Sequence, residues 1–142
     1  MKKVMIVICV LVLVLSSFSV GFAAEVDKVT EEEALRYVGT HAHIETLTIS
    51  SSGYATMLAE LIPKTSSSID EVVVTIKLKS PSGTYVYNKS HDASWSQTYF
   101  EYQVSKGKQL SSKGLYTMSV TYKCYKDGSL IETISGSAAD TY

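Results

Sequence analysis

The sequence predicts an all-β protein whose folded part is an antiparallel, immunoglobulin-like β-sandwich of about seven strands. Three observations support this class: apolar and polar residues alternate with a period of two, turn residues recur at regular intervals, and no convincing helical pattern interrupts the strands. The predicted domains are a signal peptide over 1–23, an acidic leader or short helix over 24–37, and the sandwich over 38–142. A mature chain of about 120 residues is long enough to bury one core without disulfides.

The first 23 residues have the layout of a secretory signal peptide. Lys2 and Lys3 precede an apolar run from Val4 to Leu15, and the small residues Gly21 and Ala23 suit cleavage after Ala23. The run is shorter than the roughly 20 residues that span a membrane. We therefore expect a secreted protein that is free of the membrane once the signal is cleaved.

The charge balance of the mature chain argues against nucleic acid as a partner. The signal contains two of the 13 Lys and Arg residues and none of the 14 Asp and Glu residues, which leaves 11 against 14 and a formal charge of −3. Proteins that bind nucleic acid cluster their basic residues instead. We predict an extracellular monomer with no nucleic-acid partner.

An acidic leader and a hairpin open the mature chain. In the leader, Thr30 and Glu33 stand at the spacing of a capping box, which favours one or two helical turns. The segments "HIETLTIS" (43–50) and "YATMLAELI" (54–62) then predict a hairpin around the turn residues 50–53. Its inward positions are Leu47, Ile49, Ala55, Met57, Ala59 and Leu61.

Three further strands are predicted in the middle of the chain. They are "IDEVVVTIKLKS" (69–80), "YVYNKSH" (85–91) and "QTYFEYQV" (97–104), with the turn "PSGT" after the first and a loop holding Trp95 after the second. A basic, glycine-containing loop is predicted from Ser105 to Gly114. The inner-face residues of the first and third strands are Val72, Val74, Ile76, Leu78, Phe100, Tyr102 and Val104.

A long strand and a tight hairpin close the chain. The pair Asp127-Gly128 favours a two-residue turn. Folding the chain back across this turn sets Lys123 opposite Glu132 and Cys124 opposite Ile131. The inner face of the long strand is predicted to contain Tyr116, Met118, Val120, Tyr122 and Cys124.

Two features of this long strand support the immunoglobulin-like fold, and neither indicates a reactive site. Tyr116 lies two residues before Met118, the spacing of the tyrosine corner in immunoglobulin domains, where a cysteine occupies the second position. By that resemblance Met118 and Met57 take the places of the inter-sheet disulfide. Cys124, the one cysteine after the signal, is predicted to be buried, unpaired and unreactive.

Three segments also resemble a known group of proteins. "LTISSSGYAT" (47–56), "YQVSKG" (102–107) and the final "VTYKCYKDGSLIETISGSAADTY" (120–142) are similar to an uncharacterised family of short, signal-bearing secreted proteins of Gram-positive, clostridial-type bacteria. The resemblance covers 37–142. It implies the sandwich fold and an extracellular location, and it implies no activity.

Tyrosine dominates the aromatic residues and suggests a binding surface. Tyr85 and Tyr87 are predicted to share one face of a strand, with Trp95 in a neighbouring loop and Tyr99 beyond it. Exposed aromatic rings of this kind stack on sugar rings or anchor a protein partner. The alternative interpretation is cross-strand packing that stabilises the sheet. The leading prediction is a non-catalytic protein that binds a glycan, an envelope polymer or another protein outside the cell.

Two alternative functions remain open from the sequence. His41 and His43 are two residues apart on a predicted strand, so that both side chains point to one side and, with His91, suit a metal ion. The loop from Ser105 to Gly114 suits a secreted inhibitor. The histidine alternative predicts a metal-binding protein, and the loop alternative predicts an inhibitor.

Catalysis is not predicted. The many serines give no information about a hydrolase triad, and no G-x-S-x-G nucleophile elbow occurs. The carboxylates Glu45, Glu60, Asp70, Glu71 and Glu101 are dispersed, and no pattern suggests that two of them face each other across a cleft. The sequence contains no phosphate-binding glycine loop and predicts no cofactor.

Overall fold

The computed structural model describes residues 39–65 and 69–142, and the predicted signal peptide and leader lie outside this part of the chain. The described residues form eight strands and no helix, and so contain no helix that is long and apolar enough to cross a membrane. The strands are β1 (Thr40–Ile49), β2 (Tyr54–Pro63), β3 (Glu71–Lys79), β4 (Tyr85–Asp92), β5 (Ser94–Ser96), β6 (Glu101–Gln109), β7 (Leu115–Lys126) and β8 (Ser129–Thr141).

The strands form two antiparallel sheets of four. The first sheet has the order β1-β2-β6-β5 and the second the order β4-β3-β7-β8. Lettered along the chain in the immunoglobulin manner, these are A-B-E-D and C′-C-F-G, which is the strand arrangement of that fold with one extra strand beside C. The predicted class is therefore confirmed. The eighth strand is the short β5, which occupies part of the predicted loop around Trp95.

The core lies between the two sheets and consists of the apolar residues that occupy every second position of the strands. Inward positions of β2, β3 and β7 are almost completely buried, while the residues between them are partly or fully exposed. Each fully buried Val, Leu, Ile or Met side chain stabilises the fold by about 1.5–3 kcal/mol relative to an exposed one. The fully buried residues include Met57, Leu61, Val72, Val74, Ile76, Leu78, Tyr116, Met118, Val120 and Tyr122.

Tyr116 forms the predicted tyrosine corner. Its buried hydroxyl donates a hydrogen bond to the carbonyl oxygen of Ser112, four residues upstream, at 2.8 Å. Met57 on the B-like strand and Met118 on the F-like strand both have 0% exposure and belong to the one core cluster. Both methionines thus point inward from the two strands that a disulfide joins in antibody domains.

The register of the last hairpin differs from the prediction by one residue. Asp127 and Gly128 both have positive φ, at 51° and 74°, as the predicted tight turn requires. Beyond the turn a bulge between Cys124 and Tyr125 takes up one extra residue, so that Cys124 pairs with Glu132 and Lys123 with Thr133. The predicted pairs Lys123 with Glu132 and Cys124 with Ile131 are therefore wrong.

The shifted register turns the Glu132 side chain inward. Its Oε2 accepts hydrogen bonds from the Thr40 hydroxyl at 2.9 Å and from the Gly39 amide at 3.3 Å. Its Oε1 is buried and has no hydrogen-bond partner among the described residues. This carboxylate lies beside the thiol of its cross-strand neighbour, Cys124.

A second buried polar contact joins β1 to the opposite sheet. The Tyr122 hydroxyl lies 2.9 Å from Glu45 Oε1 and 3.2 Å from the Ile44 carbonyl oxygen. Burial, and then the Glu45 charge, raise the pKa of Tyr122 far above its ordinary value, so the hydroxyl donates. Gly136 makes this contact possible, because a Cβ there would collide with the Glu45 carboxylate.

The predicted loop from Ser105 to Gly114 is largely a strand. β6 continues to Gln109 and pairs with β2 up to that residue, and Leu110 is buried just beyond its end. Only residues 110–114 connect β6 to β7. The prediction of a loop from Ser105 to Gly114, which the inhibitor alternative used, is therefore wrong over residues 105–109.

Candidate functional site

An open cleft lies between residues 62–65 and 69–70 on one side and the residues around β5 on the other. Its volume is about 1260 Å³. Four aromatic residues line it together with polar side chains at its margin. The aromatic residues are Trp95, Tyr99, Phe100 and Tyr102, and the polar ones include His41, Lys64 and Asp70.

The inner part of the cleft is rigidly held. Trp95 on β5 pairs with Tyr102 on β6, and their rings are 4.9 Å apart at an angle of 60°. Tyr102 is buried, and its hydroxyl donates a hydrogen bond to the Ile69 carbonyl oxygen at 3.0 Å. Trp95 remains 44% exposed. The contact with Tyr102 therefore orients the indole and leaves part of its surface open to the cleft.

The outer part of the cleft is a turn that displays two more rings. The Phe100 amide donates to the Ser96 carbonyl oxygen at 2.9 Å, and the Tyr99 amide donates to Ser96 Oγ at 3.3 Å. The turn leaves Tyr99 71% and Phe100 68% exposed. Two neighbouring aromatic side chains with this exposure, beside a third, are unusual on a soluble domain and are typical of a binding surface.

Phe100 also has a strained backbone. Its φ of 56° lies in the left-handed region, which costs roughly 1–2 kcal/mol for a residue with a Cβ. Strained residues of this kind gather where a protein contacts a ligand. The prediction that Phe100 shares the inner face with Tyr102 and Val104 is wrong, because the turn extends to residue 100 and the strand begins at Glu101.

The structure divides the four predicted binding aromatics. Trp95 and Tyr99 meet in the cleft, whereas Tyr85 and Tyr87 are not among its lining residues. The prediction that Tyr85 and Tyr87 share a face is wrong as well. A bulge opposite Leu78 and Lys79 lets Tyr87 pack against the core while Tyr85 points outward. Phe100 and Tyr102 are cleft residues that the predicted site does not contain.

The three histidines lie apart. A bulge between Thr40 and Ala42 takes His41 out of the alternation, so His41 is exposed at the cleft, while His43 lies 2.8 Å from Glu45 Oε1 in the partly buried network with Tyr122. His91 Nε2 is 2.7 Å from the Tyr87 hydroxyl on β4. Burial, and then Lys106 and Lys89, lower the pKa of His91.

These positions leave the metal-binding alternative without a ligand set. Within residues 39–65 and 69–142, no three His, Cys, Asp or Glu side chains are grouped in a way that would hold a metal ion. The spacing of two residues between His41 and His43 predicts a common side only for a regular strand. The bulge between Thr40 and Ala42 interrupts the regular strand at His41, so the two histidines do not share a side.

Two carboxyl groups that are dispersed in the sequence are brought together. Glu60 on β2 and Glu101 on β6 form a side-chain contact, and burial together with the Glu60 charge raises the pKa of Glu101. Gln103 donates to Glu60 Oε1 at 3.2 Å. Neither carboxyl group lines the cleft. The pair thus differs from the acid and base of a glycosidase, which flank a substrate and are separated by about 5–9.5 Å.

Comparison with known proteins adds little to this geometry. No protein-family model and no curated protein matches the sequence. The chain is similar to a solved structure of a Bacteroides fragilis protein assigned as a beta-galactosidase, with 14% sequence identity and a TM-score of 0.40. The alignment covers 67% of this chain and 15% of that protein, so this chain spans a small part of its length. A similarity of this degree carries no argument about function.

Proposed function

We propose that this protein is a secreted, non-catalytic β-sandwich that binds an uncharged glycan outside the cell, in keeping with the Gram-positive secreted proteins that its sequence resembles. The observation that carries the proposal is the cluster of three exposed rings, Trp95, Tyr99 and Phe100, at one cleft. One of the three is held on strained backbone. None of the three rings belongs to the hydrophobic core cluster.

The chemistry of the cleft suits a sugar chain. Aromatic faces bury the apolar C–H faces of a sugar ring, and a few polar groups at the margin satisfy its hydroxyl groups. Asp70 is held in place at that margin because its Oδ2 accepts a hydrogen bond from the Asp127 amide at 2.8 Å. If each ring contributes as much as an aromatic pair does, about 0.5–1.5 kcal/mol, two or three rings favour weak binding of a sugar chain.

The substitution Trp95→Ala tests the proposal. The wild-type protein is first titrated calorimetrically with neutral hexasaccharides built from glucose, xylose, mannose and N-acetylglucosamine. For the sugar that binds, we expect Trp95→Ala to weaken the affinity about tenfold, which corresponds to about 1.4 kcal/mol. Leu130→Ala, at a residue that is 52% exposed and outside the cleft, is the matched control and should bind as the wild type does. Failure of all four sugars to bind, or equal affinity of the two variants, would reject the cleft as a glycan site.

The substitution Phe100→Gly separates binding from folding. Glycine adopts φ of 56° without strain, so we expect the free energy of unfolding in urea to rise by about 1 kcal/mol while glycan affinity falls severalfold. Tyr99→Gly is the matched control in the same turn. Tyr99 is not among the residues of positive φ, so glycine there should lower stability by about 0.5–1 kcal/mol while it also weakens binding. A Phe100→Gly variant that is more stable and binds equally well would contradict a binding role for this ring.

A further inference from the structure

A second exposed feature lies on the outer face of the β4-β3-β7-β8 sheet, away from the cleft. Two lysines of β3 converge on one tyrosine ring: Lys79 Nζ is 5.2 Å and Lys77 Nζ is 6.0 Å from the centre of the Tyr85 ring. The bulge in β4 is the reason that Tyr85 reaches this face. Its ring is 50% exposed, so one part contacts the lysines and another part remains open to solvent.

Within residues 39–65 and 69–142, the two ammonium groups face no acidic partner. Of the described residues, none provides a carboxylate within ion-pair distance of Lys77 or Lys79. Their neighbours across the sheet carry hydroxyl, amide or methyl groups instead, as the strand registers show for Asn88, Thr117, Ser119, Ser137 and Ala139. Lys77 and Lys79, whose Cα atoms lie about 7 Å apart along one strand, therefore share an uncharged, hydrogen-bonding surface. The described residues thus provide no counter-charge for the two lysines, and a bound acidic molecule would provide one.

We infer that this face is a second binding site and that its occupant is an acidic polysaccharide. Carboxylate groups of successive sugars would pair with Lys77 and Lys79, while a sugar ring packs on the open part of Tyr85. The neighbouring Asn88 and Ser119 offer hydrogen bonds to hydroxyl groups. Nucleic acid fits less well, because the mature chain has a formal charge of −3. The cluster at Tyr85 also contains two lysines, whereas nucleic-acid sites usually have a longer row of basic residues.

The inference is independent of the proposed cleft, because the two sites use different residues and differently charged sugars. The test uses polygalacturonate and the same polymer with its carboxylates methyl-esterified, a change that removes each negative charge and adds one methyl group. We expect the full-length protein to bind polygalacturonate and not the ester. The logarithm of the binding constant should fall with the logarithm of salt concentration with a slope of about −1.5, as for two neutralised charges.

Variants locate the binding on the surface. The double substitution Lys77→Gln and Lys79→Gln should weaken binding of polygalacturonate about tenfold and bring the salt slope close to zero. Lys123→Gln with Lys126→Gln removes two lysines of β7 that are away from Tyr85 and should leave the affinity within twofold. Trp95→Ala should bind polygalacturonate normally, so failure of the cleft proposal leaves this one intact.

Three results would overturn the inference. They are equal binding of the ester and the acid, loss of affinity in the control pair equal to that in the Lys77 and Lys79 pair, and tighter binding of inorganic polyphosphate or single-stranded DNA than of polygalacturonate. The last result would assign the face to phosphate groups instead of sugar carboxylates.

Discussion

The Cys124 thiol is expected to react with Ellman's reagent at least 100-fold more slowly in the native protein than a free cysteine does. Its side chain has 0% exposure and points into the core in phase with Met118 and Tyr122. Burial, with the charge of Glu132 adding to it, raises the pKa of the thiol from 9.0 to about 11. Because the thiolate is the reacting species, a rise of about two units lowers its population about 100-fold at pH 8. Exclusion of the reagent from the core slows the reaction further.

The pH dependence and the unfolded protein provide the controls. A Cys9→Ser variant leaves Cys124 as the single thiol, and 6 M urea should restore the ordinary rate. In the native state the rate should rise about tenfold for each pH unit between 7 and 10, since the pKa of about 11 lies above that range. A native rate close to that of free cysteine would show an exposed thiol and contradict the inward orientation of β7.

The alternation of apolar residues predicts the sheets well because burial on one face imposes it. A strand packed on a core needs an apolar side chain at every second position, and Val72 to Leu78 on β3 and Tyr116 to Cys124 on β7 follow this rule without exception. Tight turns are also readable, because Asp127 and Gly128 are residue types that accept positive φ. These local rules are enough to predict the fold class.

Bulges are what the alternation cannot predict. One extra residue in a strand moves every later side chain to the opposite face of the sheet. Near a strand end too few residues follow for the apolar pattern to show this change. The bulges beside His41, between Tyr85 and Tyr87, and beside Cys124 account for the errors in the histidine pair, the tyrosine pair and the last hairpin. All three lie in edge strands or near turns, where the core constrains the register least.

The cleft is harder to predict for a different reason. Its aromatic part, Trp95 to Tyr102, is local in sequence, and the presence of Trp95 and Tyr99 is enough to suggest a binding surface. Its other side comes from residues 62–65 and 69–70, which precede Trp95 in the sequence by the whole of β3 and β4. The two segments come together because β6 pairs with β2 and β5 pairs with β6. The left-handed Phe100 has no sequence signal, since aromatic residues seldom adopt that conformation.

The methionine pair in the core leads to the prediction with the largest effect on stability. Met118 is fully buried in the middle of the second sheet, between Leu78 on β3 and Ala138 on β8. Met57 is fully buried on β2 of the first sheet. In antibody domains a disulfide joins these two strands and stabilises the fold by about 2–4 kcal/mol. Here these two strands carry buried methionines, whose flexible thioether side chains stabilise the core by packing alone.

We therefore expect Met118→Ala to lower the free energy of unfolding by about 3 kcal/mol, within the roughly 2–5 kcal/mol typical of buried truncations, because the cavity it leaves cannot close. Urea denaturation followed by tyrosine fluorescence measures this change. Met118→Leu keeps the volume and should cost less than about 1.5 kcal/mol. Leu115→Ala, on the same strand but 57% exposed, should change stability by less than about 0.5 kcal/mol.

The double variant with Met57→Ala shows whether the two methionines act as one packing unit between the sheets. If they contact each other, the combined loss should differ from the sum of the single losses by about 0.5–3 kcal/mol, since the second truncation enlarges a cavity that already exists. Losses that add without coupling would mean that each methionine packs only within its own sheet, and would contradict the comparison with the immunoglobulin disulfide. A Met118→Ala loss below about 1 kcal/mol would contradict the buried position itself.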